Sequence, residues 1–351
     1  MDQMVGDLWA GDIDPLGRMY TMTDPLSLML AARDHVLADG ATGTQLMNMG
    51  LSAREPAELW NDTQPEKVAR LHRGAIAAGS DLFLTNSFGA NESRLRLHGL
   101  QDRVAELNLK AARIARAEAD RAGREVIVAG SMGPIGEIMA PMGSLTHARA
   151  TQMFLDQALA LKEGGADILW VETLGALEEL RAAAEAARRA DMAWCGCLSF
   201  DTAGRTIMGV TPGQLSAAVE ALPNPPVAYG ANCGIGASDL LRTVAGFVAS
   251  GNERPIIAKG NAGVPHLADG HIHYDGTPAL MADYACLARD LGVRVIGGCC
   301  GTMPDHLQAM RDALRDRPRG PRPTLERITA ALGPFTSAGS DREDRLTIGR
   351  R

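Results

Sequence analysis

The sequence predicts an α/β fold of the (β/α)8 TIM barrel type, and three observations predict it. Short apolar or β-branched runs alternate with long Ala-, Leu- and Arg-rich stretches of helical period. Eight such pairs can be counted along the chain. The turn after the first run reads Asp39-Gly-Ala-Thr-Gly-Thr44 and lacks the GxGxxG spacing that the rival doubly wound sheet normally carries there.

Taken in order, the first unit pairs a strand at 36–39 with a helix over 65–79, and the second pairs 81–86 with 101–122. The third places a strand at 126–131 before a helix over 147–164, the fourth 167–172 before 176–190. The fifth and sixth read 194–200 with 212–221 and 227–232 with 237–250. The seventh and eighth read 255–259 with 278–291 and 293–298 with 304–314.

A length of 351 residues suits one such barrel, expected over 25–314. Residues 1–24 are read as a loose extension. The tail over 315–351 begins in an Arg- and Pro-rich run at 315–322 and is expected to be mobile or to pack on another subunit, compatible with a homo-oligomer. With 46% apolar and only 4% aromatic residues, the composition fits helices packed closely on a parallel sheet. A formal charge of −7 argues against non-specific binding to nucleic acid or to an anionic membrane, which leaves small molecules as the expected partners. No apolar run of spanning length occurs and residues 1–24 lack signal-peptide character, so a cytoplasmic location is expected. Six cysteines in such a chain are too few for a disulfide scaffold. Clustered ones point to metal or catalysis instead.

Active sites of this barrel class lie at the carboxyl ends of the strands. Asp39 ends the first predicted strand, Glu172 the fourth, Cys233 follows the sixth, and Cys299 and Cys300 follow the eighth. Three cysteines at one rim match a catalytic zinc site, in which three protein ligands leave a fourth tetrahedral position for water or substrate. A thiol substrate fits that position, because zinc deprotonates it while three thiolates keep its sulfur electron-rich. The chemistry so defined is alkyl transfer to sulfur. Asp39 and Glu172 can hold an ammonium, and backbone amides around Gly43 and Thr44 a carboxylate, so an amino-acid thiol is the expected substrate.

Cys195 and Cys197 lie low on the fifth strand and Cys286 in a helical stretch; all three are read as core. His271 and His273 form an H-x-H pair, but in a stretch read as a long loop, and are left out of the site. A structural zinc site or a thiol sensor stays open as a reading of another class, although a closed site normally has four protein ligands.

The motifs Leu37-Ala-Asp-Gly-Ala-Thr-Gly-Thr44, Thr85-Asn-Ser-Phe-Gly-Ala-Asn91, Val171-Glu-Thr173, Gly230-Ala-Asn-Cys-Gly-Ile-Gly236, Lys259-Gly-Asn-Ala-Gly263 and Gly297-Gly-Cys-Cys-Gly-Thr302 carry a resemblance. Over roughly residues 28–314 the chain resembles the zinc-dependent homocysteine S-methyltransferases, and is most similar to bacterial betaine-homocysteine methyltransferases. The resemblance implies Zn2+ on Cys233, Cys299 and Cys300, the homocysteine amino group on Asp39 and Glu172, and methionine and dimethylglycine as products from betaine. Trp60 matches a tryptophan that contacts the donor in animal betaine enzymes. Two tyrosines of that aromatic cage are here Gly89 and Thr173. Phe88, and by strand parity Trp170 and Tyr229, are the aromatics available in their place. S-methylmethionine, a dimethylsulfonio acid or a methylcorrinoid are the alternative donors.

Overall fold

The computed structural model describes residues 24–268 and 271–336. Helix α1 (Pro25–Ala32) starts from Asp24, whose carboxylate accepts the Ser27 N–H at 2.9 Å, with Pro25 at the position where no N–H is needed. The barrel strands are β1 (Val36–Leu37), β2 (Leu82–Leu84), β3 (Ile127–Met132), β4 (Ile168–Leu174), β5 (Trp194–Leu198), β6 (Ala228–Cys233) and β7 (Ile256–Gly260). After a hairpin of β8 (Pro265–Ala268) and β9 (His271–Tyr274) comes the eighth barrel strand, β10 (Val295–Gly298). The barrel strands pair in parallel in the order β1-β10-β7-β6-β5-β4-β3-β2, and a bridge from Ala38 to Leu82 brings the two ends together. The barrel class expected from the sequence is the one observed.

Between these strands run α2 (Gly43–Asn48), α3 (Trp60–Thr63), α4 (Pro65–Ala78), α5 (Glu92–Arg96), α6 (Val104–Asp120), α7 (His147–Glu163) and α8 (Leu177–Ala190). The second half adds α9 (Pro212–Glu220), α10 (Ala237–Ala249), α11 (Pro278–Leu291), α12 (Pro304–Asp316) and α13 (Leu325–Leu332). Their ends follow local chemistry. Thr146, Thr211, Thr277 and Thr324 cap α7, α9, α11 and α13 through their hydroxyls, and Gly79 and Gly292 close α4 and α11 in the left-handed conformation.

Strand parity sorts the side chains into two cores. Val36, Leu82, Leu84, Ile127, Ala129, Ile168, Trp170, Cys195, Cys197, Ala228, Ile257 and Val295 fill the barrel, and Leu26, Met29 and Leu30 of α1 join the same cluster. Leu37, Phe83, Val128, Leu169, Val171, Ile256, Ala258 and Ile296 belong to the other cluster, with the helices. Each large aliphatic side chain withdrawn from water in these layers contributes roughly 1.5–3 kcal/mol. The readings of Cys195, Cys197 and Cys286 as core hold, since all three are buried.

Three expectations are corrected. Tyr229 lies in the outer core: its hydroxyl bonds Ser216 of α9 at 2.9 Å and its ring meets Phe247 of α10 edge-on. Parity with Cys233 misleads because Cys233 has φ +62°, which turns the strand end and breaks the alternation. The stretch read as a loop after Lys259 folds as the antiparallel β8–β9 hairpin, with Ala268 paired to His271. The tail from 315, expected to be mobile or to pack on another subunit, continues α12 to Asp316 and then forms α13, which packs Ile328 and Leu332 against α10 and α11 of the same chain. Residues 1–23 of the segment 1–24 expected to be loose, and residues 337–351 of the tail, lie outside the described residues.

Candidate functional site

The rim residues expected from the sequence meet at the carboxyl ends of the strands. The sulfurs of Cys233, Cys299 and Cys300 all lie within 4.8 Å of one another, with Cys233 and Cys300 at 3.9 Å. Zinc–sulfur bonds of 2.3 Å at tetrahedral angles place ligand sulfurs about 3.8 Å apart, the spacing at which Cys233 and Cys300 already stand. None of the three is in a disulfide, and each is only half-buried.

Backbone pairing builds the triangle. Cys233 ends β6 beside Gly260, the Cys299 N–H donates to the Gly260 carbonyl at 2.7 Å, and the Ala262 N–H donates to the Cys300 carbonyl at 2.9 Å. Gly301 follows at φ +77°, and a side chain on it would run into the ring of Tyr274. Tyr274, carried in by the hairpin, thereby lies against the cysteine turn. Burial and the neighbouring Cys300 raise the phenol's pKa above its ordinary value. Hydrogen bonds from Cys233 and Cys299 pull the Cys300 thiol well below the usual thiol range.

Beside the cysteines is a buried polar layer inside the barrel. Glu172 accepts Ser131 Oγ at 2.7 Å on one oxygen and has only a long 3.5 Å contact from Asn232 Nδ2 on the other. Its pKa is pushed up to about 7, chiefly by burial, with Lys259 pulling it down and Cys299 and Asp39 pushing it up. Asp39 is more fully engaged: Oδ2 accepts the Leu84 N–H at 2.9 Å, and Oδ1 accepts Lys259 Nζ at 2.5 Å. Gly43 opens the short α2, and Thr44 Oγ1 accepts the Gly301 N–H at 3.2 Å, which ties that turn to the cysteine turn.

The two donor-facing aromatics expected from the sequence are placed differently from each other. Trp60 is buried in a satellite cluster with Leu46, Leu51, Val68 and Leu71, and the Lys67 ammonium stands 4.3 Å over its ring. Phe88 is half-buried, its ring against Gly133 and the Arg94 guanidinium 5.3 Å over it. A Cβ on Gly89 would stand 2.9 Å from Glu58 Oε1, so a larger residue there requires that carboxylate to shift. Trp170 faces the barrel interior, as parity predicts.

Four residues escape the sequence reading: Lys259, Asn232, Asn261 and Tyr274. The first three sit in motifs that mark the strand ends, and that position is the signal that could have found them. Asn261 Nδ2 donates to Gly234 O at 2.7 Å beside the cysteine turn, while its Oδ1 is buried without a protein partner. Tyr274 is announced only by the Asp-Gly at 269–270, a hairpin signal. At the opposite end of the barrel a depression of about 570 Å³ is lined by Arg33, Arg124 and Arg311, which pair with Asp81, Asp312 and backbone carbonyls.

Eight parallel strands around three convergent thiols define a (β/α)8 barrel with a cysteine cluster at its mouth that could hold a metal ion. Residues 36–314 match the family model described as homocysteine S-methyltransferase, and the chain belongs to that family. It is 31% identical over 338 residues to a methionine synthase of Mycobacterium tuberculosis, a match that covers 90% of this chain and 28% of the relative. A methionine synthase of Mycobacterium leprae matches at 31% over 343 residues, with the same coverage. The chain thus spans a little over a quarter of the length of these relatives. Among solved structures, the metallated form of the homocysteine methyltransferase MmuM from Escherichia coli aligns with a TM-score of 0.68 at 25% identity, covering 82% of this chain and 99% of that one. Its oxidized form aligns at 0.69 and 25% identity, over 83% and 99%. Among the described residues, no helix is long and apolar enough to cross a membrane.

Proposed function

We propose that this chain transfers a methyl group to the thiol of homocysteine, giving methionine, with Zn2+ held by Cys233, Cys299 and Cys300. The observation that carries the reading is the three-sulfur triangle, within 4.8 Å on every side and half-buried, next to a buried acid layer. When bound, zinc supplies the Lewis acidity that lowers a thiol's pKa and keeps its sulfur nucleophilic. The chain's own residues bind and orient. Glu172, whose second oxygen has only one long contact, takes the substrate ammonium with Asp39 behind it. Backbone amides around Gly43 and Thr44 take the carboxylate, and the half-buried mouth limits water around the reacting sulfur. The family membership and the methionine synthase and MmuM likenesses support the same acceptor.

Betaine is the donor we propose first, from the likeness of the motifs. The homocysteine sulfur then bonds the methyl carbon as that carbon's bond to the donor nitrogen breaks, and dimethylglycine leaves with the electron pair. Trp60 and Phe88 are its proposed aromatic contacts. One observation favours a second reading with a methylcorrinoid, which presents no onium cation, as donor over betaine and equally over S-methylmethionine or a dimethylsulfonio acid. Both rings already face a cation of the protein itself, Lys67 and Arg94, and so are less free to receive an onium cation.

Methionine formation by the zinc-loaded protein, measured with homocysteine and each donor in turn, tests both readings. Turnover with betaine supports the first, turnover with a methylcorrinoid alone supports the second, turnover with a sulfonium donor alone refutes both donors, and no methionine with any donor overturns the function. X-ray absorption separates this from structural zinc or thiol sensing: sulfur coordination should rise from three to four on adding homocysteine.

A further inference from the structure

Lys259 is the one lysine buried among the described residues, with 2% of its side chain exposed. It points into the barrel from β7, on the same face as Ile257 of the interior core. Its stem is admitted by Gly297 of β10: a Cβ there would stand 2.9 Å from Ala38 Cβ and 3.1 Å from Lys259 Cγ. Its ammonium stands 2.5 Å from Asp39 Oδ1 and 5.6 Å from the centre of the Trp170 ring. Burial works to lower its pKa, but the charges of Asp39, Glu172 and Cys299 outweigh burial and hold it above the ordinary lysine value. A buried charge is retained only when it is paired, so the Lys259–Asp39 pair acts as one neutral unit.

We propose that Lys259 is a positioning residue for substrate: by neutralising Asp39 it reserves Glu172 as the carboxylate that receives the ammonium of the amino-acid thiol. The inference rests on the homocysteine reading above and divides roles that the family resemblance gives to both acids together. Two buried carboxylates at one mouth tend to share a proton, which leaves the position of the single negative charge undefined. A fixed cation on Asp39 removes that ambiguity. Asp39 then acts through Lys259, and the bond to substrate is made by Glu172.

The test compares two thiols on the zinc-loaded protein by calorimetry, homocysteine and 4-mercaptobutyrate, which keeps thiol and carboxylate but lacks the ammonium. The wild type should bind homocysteine more tightly; equal binding would refute the ammonium reading of the site itself. Lys259→Met should cut that preference by about tenfold, the worth of one charge-assisted hydrogen bond, with zinc content and 4-mercaptobutyrate affinity kept. A merely structural role would weaken both ligands alike. The double variant Asp39→Asn/Lys259→Met, which removes the pair as a unit, should regain the preference. An undiminished preference in Lys259→Met, equal losses for both thiols, or no recovery in the double variant overturns the proposal and assigns the ammonium to Asp39 directly or Lys259 to the fold alone. Should Lys259→Met not fold, the double variant against Asp39→Asn decides the same question.

Discussion

Asn232 holds Thr173 in a left-handed conformation through a reciprocal pair of hydrogen bonds. Its Oδ1 accepts the Thr173 N–H at 2.8 Å, and its Nδ2 donates to Thr173 Oγ1 at 2.8 Å. Thr173 has φ +62°, which a β-branched residue adopts only at a cost of about 1–3 kcal/mol. The strain falls where β4 breaks its register with β5, directly after Glu172, and so aims the end of that strand. Asn232→Ala should lower stability by about 2–3 kcal/mol, from two lost hydrogen bonds in a largely buried setting. Adding Thr173→Gly should cost less than the two single losses summed, because glycine takes this φ freely. Urea unfolding of the four proteins measures it, and strict additivity would count against the strain.

The cysteine triangle predicts a sharp division among the six cysteines. Cys233→Ser, Cys299→Ser and Cys300→Ser should each reduce bound zinc at least about tenfold, since serine is a poor ligand where soft thiolates are favoured. Cys286→Ser, in a small cluster with Ala282 and Ala313, should keep the metal. Metal content after dialysis against a weak chelator checks both sides, and retention of stoichiometric zinc by any triangle variant removes that residue from the centre.

What was legible in the sequence was whatever depended on strand position. Cys233, Cys299, Cys300 and Glu172 could be placed because each lies at or just past a strand end, where barrel geometry leaves little freedom. Lys259 also stands at a strand end, but its burial cannot be read from its own strand. One lysine in an apolar strand reads as exposed, and only the gap left by Gly297 on β10, 38 residues later, makes room to bury it. Tyr229 was misread because the alternation of faces holds only while φ stays extended, and Cys233 breaks it. Helix α13 was hidden behind the Arg- and Pro-rich run at 315–322, which ends one helix without ending the fold.

That helix gives a direct measurement. Ile328 is fully buried in the main core and Thr336 donates from both its N–H and its hydroxyl to Asp239 of α10. Ile328→Ala should therefore cost about 2–4 kcal/mol, the usual loss for a core aliphatic. A mobile segment would show a change of under about 0.5 kcal/mol. The urea midpoint at unchanged slope distinguishes the two.

Glu172 ties the site to stability through pH. Burial holds its folded pKa at about 7, above the 4.5 ordinary for glutamate, so the folded chain takes up a proton that the unfolded chain has released between those values. The stability contributed by this uptake is complete below about pH 4.5 and is lost as pH rises through 7. Glu172→Gln keeps an acceptor for Ser131 Oγ and has no proton to lose. In chelator-treated, reduced protein the variant should match the wild type near pH 4.5 and become the more stable of the two by about 2–3 kcal/mol at pH 8. Denaturant titrations across this range follow the gap. A gap that stays constant, or that opens in favour of the wild type at high pH, would mean that Glu172 is ionised in the fold well below neutrality, with its charge met by Lys259 rather than kept for a substrate.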